Sequence, residues 1–230
     1  MSIYEIAGLV GVVFYLGSYL ALQLAILEGS GYPYASLNLL AAAMILISLS
    51  ESFNLWSAII QVSWILISIV GMGLYYFKTR AIRFTPQERA FLDAKFPQIS
   101  PIEARKFLAA GRWWTGNPGI VIATQGQVTG QLHYMADGAA RVDMDGRQIG
   151  TVQECKYIGE LTWFNGEPAT ATVTLEQPSR LFSVDASTLQ ALCARRPDLR
   201  LHIENSTKLD TRDKLLAANR RFLSETEAHG

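Results

Sequence analysis

The stretch YIGELTWFNGEPATATV, residues 157–173, is the most informative part of this 230-residue chain. A Gly-Glu-Leu step precedes a Pro-Ala-Thr-Ala turn and a β-rich run. A loop of this kind is typical of a site that holds a sugar phosphate, and such a loop usually presents a positive charge to the phosphate. No Lys or Arg occurs in this stretch. The sequence therefore leaves open whether the loop binds a ligand or has lost that ability.

Charged residues are distributed unevenly along the chain. Residues 1–77 contain three Glu and no Lys or Arg, whereas residues 78–230 contain all 20 basic residues and 17 acidic ones, a net charge of +3. This excess is too small and too dispersed for a nucleic-acid-binding surface. Cys155 and Cys193 lack metal-ligand spacing, and the three His are scattered. We therefore expect no nucleic-acid partner, no metal, no cofactor and no enzyme active site.

Three apolar runs occupy residues 4–27, 34–50 and 55–77. Each is close to the ~20 residues that cross ~30 Å of hydrocarbon as a helix. The connectors are short and rich in turn-forming residues, so the runs predict a three-span transmembrane domain at 1–79. A cleaved signal peptide fits poorly, because no basic segment precedes the first run. A buried soluble core would need three helices that are apolar on every side.

The orientation of these spans follows from the first basic cluster. Lys78, Arg80 and Arg83 come directly after the third run, and no Lys or Arg precedes it. The positive-inside rule places this end in the cytoplasm. We therefore expect an integral protein of the cell (inner) membrane, with the N-terminus outside and the C-terminal domain cytoplasmic.

Three polar amide side chains lie within the predicted spans, at Gln23, Asn38 and Gln61. No ionisable residue lies deep in any span, so we expect hydrogen bonds between helices rather than a transport pathway. Small residues would allow the helices to approach closely. The glycines concerned are Gly8, Gly11, Gly71 and Gly73.

Two segments after the spans share one helix-start pattern, Thr-Pro-Gln-Glu at 85–88 and Ser-Pro-Ile-Glu at 100–103. In each, the hydroxyl can accept a backbone N–H, Pro occupies the first helical position, and Glu can bond back to the cap. The pattern predicts two short helices. Gly111, which follows the second one, is typical of a left-handed helix stop.

From residue 119 onwards the sequence changes to short β runs, with Asp-Gly turns at 137–138 and 145–146. Short, evenly spaced strands with glycine turns predict a small barrel or jelly roll. After residue 185 the pattern is helical again. It predicts one amphipathic helix that ends at Pro197 and a last helix at about 201–225.

Leucines recur every seven residues along the last predicted helix, at Leu209, Leu216 and Leu223. Two heptads are too few for a sustained coiled coil. They suit packing against a barrel or a short dimer seam. We therefore expect a homo-oligomer, with a dimer favoured, in addition to the lipid bilayer as a partner.

The predicted order of helices, about eight strands, a Gly-Glu loop and closing helices resembles the cyclic nucleotide-binding domain. The residues that carry the likeness are Gly126, HYMADGAARV (133–142), the Asp-Gly hairpin (145–146), IGEL (158–161) and EPATATV (167–173). In that family the segments that correspond to IGEL and EPATATV lie at the two ends of the phosphate-binding cassette. The resemblance implies an α+β cytoplasmic domain at 80–225, a β jelly-roll barrel flanked by N-terminal and C-terminal helices.

Three spans ahead of one such domain resemble the Popeye domain proteins, which are membrane-anchored cAMP-binding effectors. The run STKLDTRDKLLAAN (206–219) looks like the Popeye segment in which an aspartate precedes Lys-Leu and a short helix, here Asp213, Lys214 and Leu215. This chain keeps the Gly-Glu step of the wider family but lacks the Popeye acidic loop motif. It is therefore typical of neither group.

The resemblance implies a ligand-binding site whose residues are Gly159, Glu160, Leu161, Pro168, Ala169 and Thr170. In the family the loop glutamate accepts the ribose 2′-OH, main-chain amides surround the phosphate, and an arginine after the proline binds the phosphate. Glu160 matches the glutamate, but Ala169 stands where the arginine is expected. Losing one charged hydrogen bond costs roughly 1.5–3 kcal/mol, or about tenfold to a hundredfold in affinity. Arg141 and Arg180 are candidate substitutes.

Two functions follow from these observations. The first is a membrane-anchored regulatory sensor that binds a cyclic nucleotide, cAMP or cGMP, in a non-standard cassette and signals through its closing helix or oligomer interface. The alternative is a degenerate cyclic nucleotide-binding fold that serves as a ligand-free membrane scaffold for self-association or protein partners. The intact IGEL favours the sensor, and the missing arginine favours the scaffold. A small transporter is weakest, because the spans lack buried charge.

Overall fold

A computed structural model describes residues 2–24, 26–27, 29 and 31–228, except for the side chains of 161, 164, 165, 218 and 220–228. The chain divides into two compact units, Met1–Arg83 and Phe84–Gly230. The first unit is helical, and the second combines helices with β-strands. The sequence predicts this boundary at residues 79–80.

Three apolar helices form the first unit: α1 (Ile3–Gln23), α2 (Tyr32–Ser48) and α3 (Leu55–Ala81). Ser2 caps α1 in a reciprocal capping box with Glu5, and Asn54 caps α3. By length and composition, α1 and α3 can cross a membrane, whereas α2 is a shorter apolar helix of 17 residues. The three membrane spans therefore stay a prediction, and α2 is the shortest of the three helices.

The helical unit carries apolar side chains on its outer surface and polar side chains inside. Leu16 in α1 and Ile67 in α3 are 66% and 61% exposed. Ser18, Asn38 and Gln61 are buried. This distribution is the reverse of that in a water-soluble bundle, where the apolar stripe of each helix faces the core.

A hydrogen bond joins α1 to α3, in which the Tyr15 hydroxyl donates to Gln61 Oε1 at 2.9 Å. Asn38 and Gln23 instead bond to the preceding turn of their own helices. The prediction of bonds between helices is therefore confirmed for Gln61. It is wrong for the other two residues, since each finds a partner four positions earlier in its own helix.

Glycine allows α1 to approach α2 closely. A Cβ on Gly11 would lie 2.9 Å from the Ala41 carbonyl oxygen, and one on Gly8 would lie 3.1 Å from an α2 side chain. Gly71 and Gly73 face no atom within 4 Å among the described residues. The predicted role of small residues is thus confirmed in α1 and not found in α3.

The second unit opens with two short helices, α4 (Pro86–Lys95) and α5 (Pro101–Ala110). Thr85 and Glu88 form the complete predicted capping box. Ser100 accepts the Glu103 N–H, but its hydroxyl donates to the Glu103 carboxylate. The second box is therefore only half formed.

Gly111 is not the predicted left-handed helix stop. Its φ of −120° and ψ of −176° are extended, and it begins the first strand. A Cβ at this position would come within 2.3 Å of the Phe182 ring. Glycine is required here by the close approach of an aromatic ring and not by a positive φ.

Two four-stranded antiparallel sheets form a β-sandwich, in the orders β1-β8-β3-β6 and β2-β7-β4-β5. The strands are β1 (Gly111–Gly116), β2 (Val121–Ala123), β3 (Gln131–Asp137), β4 (Ala140–Met144), β5 (Arg147–Val152), β6 (Lys156–Ile158), β7 (Thr172–Leu175) and β8 (Ser179–Asp185). The predicted Asp-Gly hairpin between β4 and β5 is confirmed, with φ of 52° at Asp145 and 75° at Gly146.

Alternation along β3 and β8 builds a core on each face of the first sheet. Tyr134 and Phe182 are register partners and pack with the helices, with ring centroids 4.1 Å and 5.4 Å from that of Phe91 in α4. Their neighbours Met135 and Leu181 are also partners and lie in the core between the sheets. The first sheet is therefore covered by helices on one side and by the second sheet on the other.

Three further helices complete the unit: α6 (Glu160–Asn165), α7 (Ala186–Arg195) and α8 (Pro197–Ala228). Pro197 occupies the start of α8, where no N–H is needed. The last helix thus begins four residues before the predicted 201 and ends three residues after 225. Leu209 and Leu216 are 52% and 47% exposed, whereas the side chain of the third heptad leucine, Leu223, lies outside the described residues.

Candidate functional site

A cavity of about 180 Å³ opens between the sheets beside the cassette. Its walls come from β2, β4, β5, β6, β7, the first turn of α6 and one residue of α8. Val142, Val152 and Val173 supply apolar surface, and Glu160 supplies a carboxylate. An apolar cavity with few polar groups is the usual form of a small-molecule site, although this one is smaller than the roughly 300–1,000 Å³ that is common.

Gly159 sets the direction in which the chain enters α6. Its φ of 83° is in the left-handed region that favours glycine, and a Cβ would lie 2.8 Å from the Gln131 carbonyl oxygen. Gly166 ends α6 in the same conformation. These two glycines confine α6 to a single short helix, and its first residue is Glu160.

The Glu160 carboxylate is paired with a lysine of the last helix. Lys214 Nζ lies 2.6 Å from Glu160 Oε1, and the two side chains are 30% and 10% exposed. The same ammonium donates to the Tyr157 carbonyl oxygen and lies 3.3 Å from Asp210 Oδ2. Lys214 therefore donates two hydrogen bonds to the cassette and forms an ion pair with Asp210 of its own helix.

Asp210, one turn before Lys214, is a buried carboxylate with several partners. Its side chain is fully buried, and its Oδ1 accepts from Lys95 Nζ of α4 at 2.7 Å. Its Oδ2 accepts from the Tyr157 N–H at 3.1 Å, and Lys156 Nζ lies 3.8 Å from Oδ1. A buried charge persists only when it is paired and hydrogen-bonded, and this network meets that condition while joining α8, β6 and α4.

The structure brings most of the predicted site residues together. Gly159, Glu160, Ala169 and Thr170 line the cavity. Pro168 is exposed and is not part of its lining. The side chain of Leu161 lies outside the described residues.

The main-chain amide of Ala169 is not available to a ligand. It donates to the Gln127 carbonyl oxygen at 2.8 Å, while the Ala169 carbonyl accepts from the Gly126 N–H at 2.8 Å. This amide therefore adds no donor to the anion site that the resemblance places around the Gly-Glu-Leu step at 159–161. The cause is local, because the segment before β7 that carries Ala169 pairs here with the turn after β2.

Neither arginine considered as a substitute reaches the cavity. Arg141 Nε pairs with Asp143 Oδ2 at 2.9 Å, and the Arg180 guanidinium lies over the Trp113 ring, 5.8 Å from its centroid. The positive charge at the site comes instead from Lys214, which is 45 positions beyond Ala169 in the chain. The sequence did contain a signal, since Asp210 and Lys214 are four residues apart on a predicted helix and so share one face.

A larger cavity of about 390 Å³ lies at the other side of β2, beside Arg112 and His133. None of the predicted site residues lines it. The buried His133 ring contacts Ser183 Oγ through Nδ1 at 2.7 Å, and that oxygen also accepts from Trp114 Nε1. Burial, aided by the positive charge of Arg112, lowers the pKa of His133 to about 4. We assign the site to the smaller cavity, because that cavity is built from the cassette.

No group of three or more His, Cys, Asp or Glu side chains that could hold a metal ion occurs within the described part of the chain. Cys155 is exposed and Cys193 is buried, and both are free thiols. The cavity lining combines the carboxylate of Glu160, the ammonium of Lys214 and the threonines Thr162 and Thr170 with an apolar wall.

The β-sandwich, the glycine-bounded helix α6 and the flanking helices together define a cyclic nucleotide-binding-like domain. Residues 117–196 match the family model of the cyclic nucleotide-binding domain. Residues 4–80 match a separate family model. No curated relative matches the chain.

Solved structures of the same fold support this class. A cyclic nucleotide-binding domain from Methylobacillus flagellatus KT superposes with a TM-score of 0.55 at 18% identity, covering 60% of this chain and 85% of that one. A putative cyclic nucleotide-binding protein from Geobacter metallireducens GS-15 gives a TM-score of 0.51 at 13% identity, covering 57% of this chain and 99% of that one. At such identities the similarity establishes the fold. The finer likeness to Popeye proteins stays a prediction.

Proposed function

We propose that this chain is a membrane-anchored regulatory sensor that binds a cyclic nucleotide, cAMP or a close analogue, in a non-standard cassette. The observation that carries the proposal is the position of Glu160. Its carboxylate heads α6 and lines the cavity, and one of its oxygens, Oε1, is bound by Lys214. The other oxygen, Oε2, has no hydrogen-bond partner among the described residues, so it is free to accept a ribose 2′-OH.

The direct test is a calorimetric titration of cAMP and cGMP into the full-length protein in detergent micelles. We expect saturable binding of at least one of them. Glu160→Ala should abolish it, because the ribose hydroxyl loses its acceptor. Glu167→Ala is a matched control, since this exposed carboxylate belongs to the same loop but does not line the cavity. Absence of heat with both nucleotides at millimolar concentration would refute the proposal.

The membrane anchor is the second part of the proposal, and the inverted surface of α1–α3 supports it. Exposed leucine, isoleucine and valine side chains cover α1 and α3, and at ~25 cal/mol per Å² their contact with water would be costly. Lipid removes that cost. The first basic residues of the chain, at Lys78 and Arg80 in the last turn of α3, favour a cytoplasmic position for that end.

Cys155 provides a native reporter of this topology, because it is exposed whereas Cys193 is buried. A membrane-impermeant maleimide should leave Cys155 unmodified in intact cells and label it after permeabilisation. Cys155→Ser controls for labelling elsewhere. Equal labelling of Cys155 in intact and permeabilised cells would overturn the cytoplasmic assignment.

A ligand-free scaffold is the alternative function, and the small cavity and the paired Glu160 favour it. In that case α8 would serve as a binding surface, with exposed Leu209 and Leu216 on it. The same titration separates the two functions. A scaffold predicts no nucleotide binding together with an oligomer that Leu209→Glu disrupts, as measured by light scattering with the detergent contribution subtracted.

A further inference from the structure

Lys214 is the basic residue of the cassette cavity, although it comes from the last helix and not from the cassette itself. Among the described residues that line this cavity, it carries the positive charge and Glu160 carries the negative charge. The nearby lysines Lys95 and Lys156 are directed to Asp210. A phosphate that entered the cavity would therefore meet the ammonium of Lys214.

The contacts of Lys214 leave it able to serve a ligand. Asp210 does not depend on it, because Lys95 Nζ at 2.7 Å and the Tyr157 N–H at 3.1 Å already satisfy that carboxylate. The Lys214 side chain is 30% exposed, and its ammonium is a point charge on a flexible four-carbon stem. It can move from its 3.3 Å contact with Asp210 towards an anion without leaving a buried carboxylate unpaired.

We propose that Lys214 replaces the missing cassette arginine and binds the phosphate of the ligand. This inference rests on the proposed function and adds to it the residue that recognises the charge. The ligand class is an anion with a neighbouring hydroxyl, in which Glu160 accepts the hydroxyl and Lys214 binds the phosphate. A single charge-assisted contact of this kind is stronger than a neutral hydrogen bond.

The origin of this cation has a consequence for signalling. When the phosphate-binding residue belongs to the cassette, the charge of the ligand is balanced within one loop. Here it is balanced by α8, so the ligand would join the cassette to the last helix through its own phosphate. The ligand then binds more tightly when α8 is docked, because only the docked helix brings Lys214 to the phosphate. By the same coupling, the bound ligand stabilises the docked position of α8.

The test compares cAMP with adenosine, which has the hydroxyls and the base but no phosphate. Both are titrated by calorimetry into the full-length protein in micelles and into Lys214→Met, which keeps the length of the side chain and removes its charge. Lys208→Met is the matched control, because it removes the same charge from the same helix at a side chain that is 65% exposed and outside the cavity. Lys214→Gln serves as a second neutral variant if Lys214→Met does not fold, which circular dichroism reports.

We expect Lys214→Met to weaken cAMP binding roughly tenfold to a hundredfold, while adenosine affinity changes less than about threefold. Lys208→Met should leave both affinities unchanged.

An equal loss for cAMP and adenosine would overturn the inference and show that Lys214 only positions Glu160. Tighter binding of both would overturn it as well and show that Lys214 obstructs the cavity. If the unsubstituted protein binds no cyclic nucleotide, the proposed function fails and this inference fails with it. Binding of cAMP that Lys214→Met leaves unchanged overturns only the inference.

Discussion

The helical unit and the β-sandwich domain are built with opposite surfaces. Around α1–α3 the apolar side chains are exposed and the buried polar groups are hydroxyls and amides, such as those of Ser18 and Gln61. In the sandwich, Phe182 and Leu181 are buried on either face of one strand. The difference teaches that the two units place their apolar side chains by opposite rules, and the arrangement in the helical unit is the one that the proposed membrane anchor requires.

The largest effect is expected when a large apolar side chain is truncated to alanine. The loss of stability should differ between the two units. Phe182→Ala should destabilise the sandwich by about 3–5 kcal/mol, because it leaves a cavity between α4 and the first sheet. Ile67→Ala, on the exposed face of α3, should cost well under 1 kcal/mol. Cys193 is buried, so its thiol is labelled only when the sandwich unfolds. The rate of this labelling in a Cys155→Ser background measures the destabilisation by Phe182→Ala. A matching loss of stability from both substitutions would contradict the comparison.

A charge on the outer face of α3 should have the next largest effect. Ile67→Arg places an arginine in the middle of a 27-residue apolar helix, and at a bilayer centre this costs about 2.5–3.5 kcal/mol. We expect a smaller share of the protein in the membrane fraction after expression. Arg is readily accepted on a water-facing helix, so unchanged membrane recovery together with an unchanged thermal midpoint would show that this face contacts water.

The third prediction concerns pH, and it applies to the sandwich alone. The pKa of His133 is about 4 in the folded protein and about 6.5 when unfolded. Between these values the unfolded state binds more protons, so stability is lost as the pH falls from 6.5 to 4 and is unaffected above 6.5. The loss is at most about 3 kcal/mol.

His133→Gln should remove this part of the pH dependence, because an amide can still contact Ser183 but does not titrate. Labelling of Cys193 from pH 7 down to pH 4 measures it in both proteins. Parallel curves would show that His133 is not the titrating group. Protonation of carboxylates near pH 4 affects the two proteins equally and so cancels in their difference.

The smallest effect is expected inside the helical unit. Gln61→Leu removes the 2.9 Å hydrogen bond from Tyr15, and such bonds between membrane helices contribute only about 0.6 kcal/mol on average. The thermal midpoint in micelles should therefore change little. A loss of several kcal/mol would show that Gln61 belongs to a larger polar network than the structure describes.

Local patterns were sufficient for much of the fold. The capping box at Thr85 and Glu88, and the two-residue turn at Asp145 and Gly146, depend on neighbours within a few residues, so the sequence predicts them well. Gly111 was misassigned because its role depends on Phe182, which lies far along the chain and meets it across two paired strands.

In the candidate site, too, the features that depend on neighbouring residues are predictable and those that depend on distant residues are not. The glycine and glutamate of the cassette follow from the motif, but Lys214 reaches Glu160 across 54 positions and Lys95 reaches Asp210 across 115. The sequence indicates that Asp210 and Lys214 share a helix face. It does not indicate which surface that face covers, because this depends on how α8 packs on the sandwich.

The carboxylate of Asp210 fastens the two ends of the sandwich domain to each other. Lys95 ends α4, the first helix of the domain, and Asp210 lies in its last helix. Separating them would break a buried ion pair and leave Asp210 with the Tyr157 N–H and the more distant ammonium of Lys214 as partners. The first and last helices of the domain are therefore joined directly by a buried ion pair, and not only through the β-strands between them.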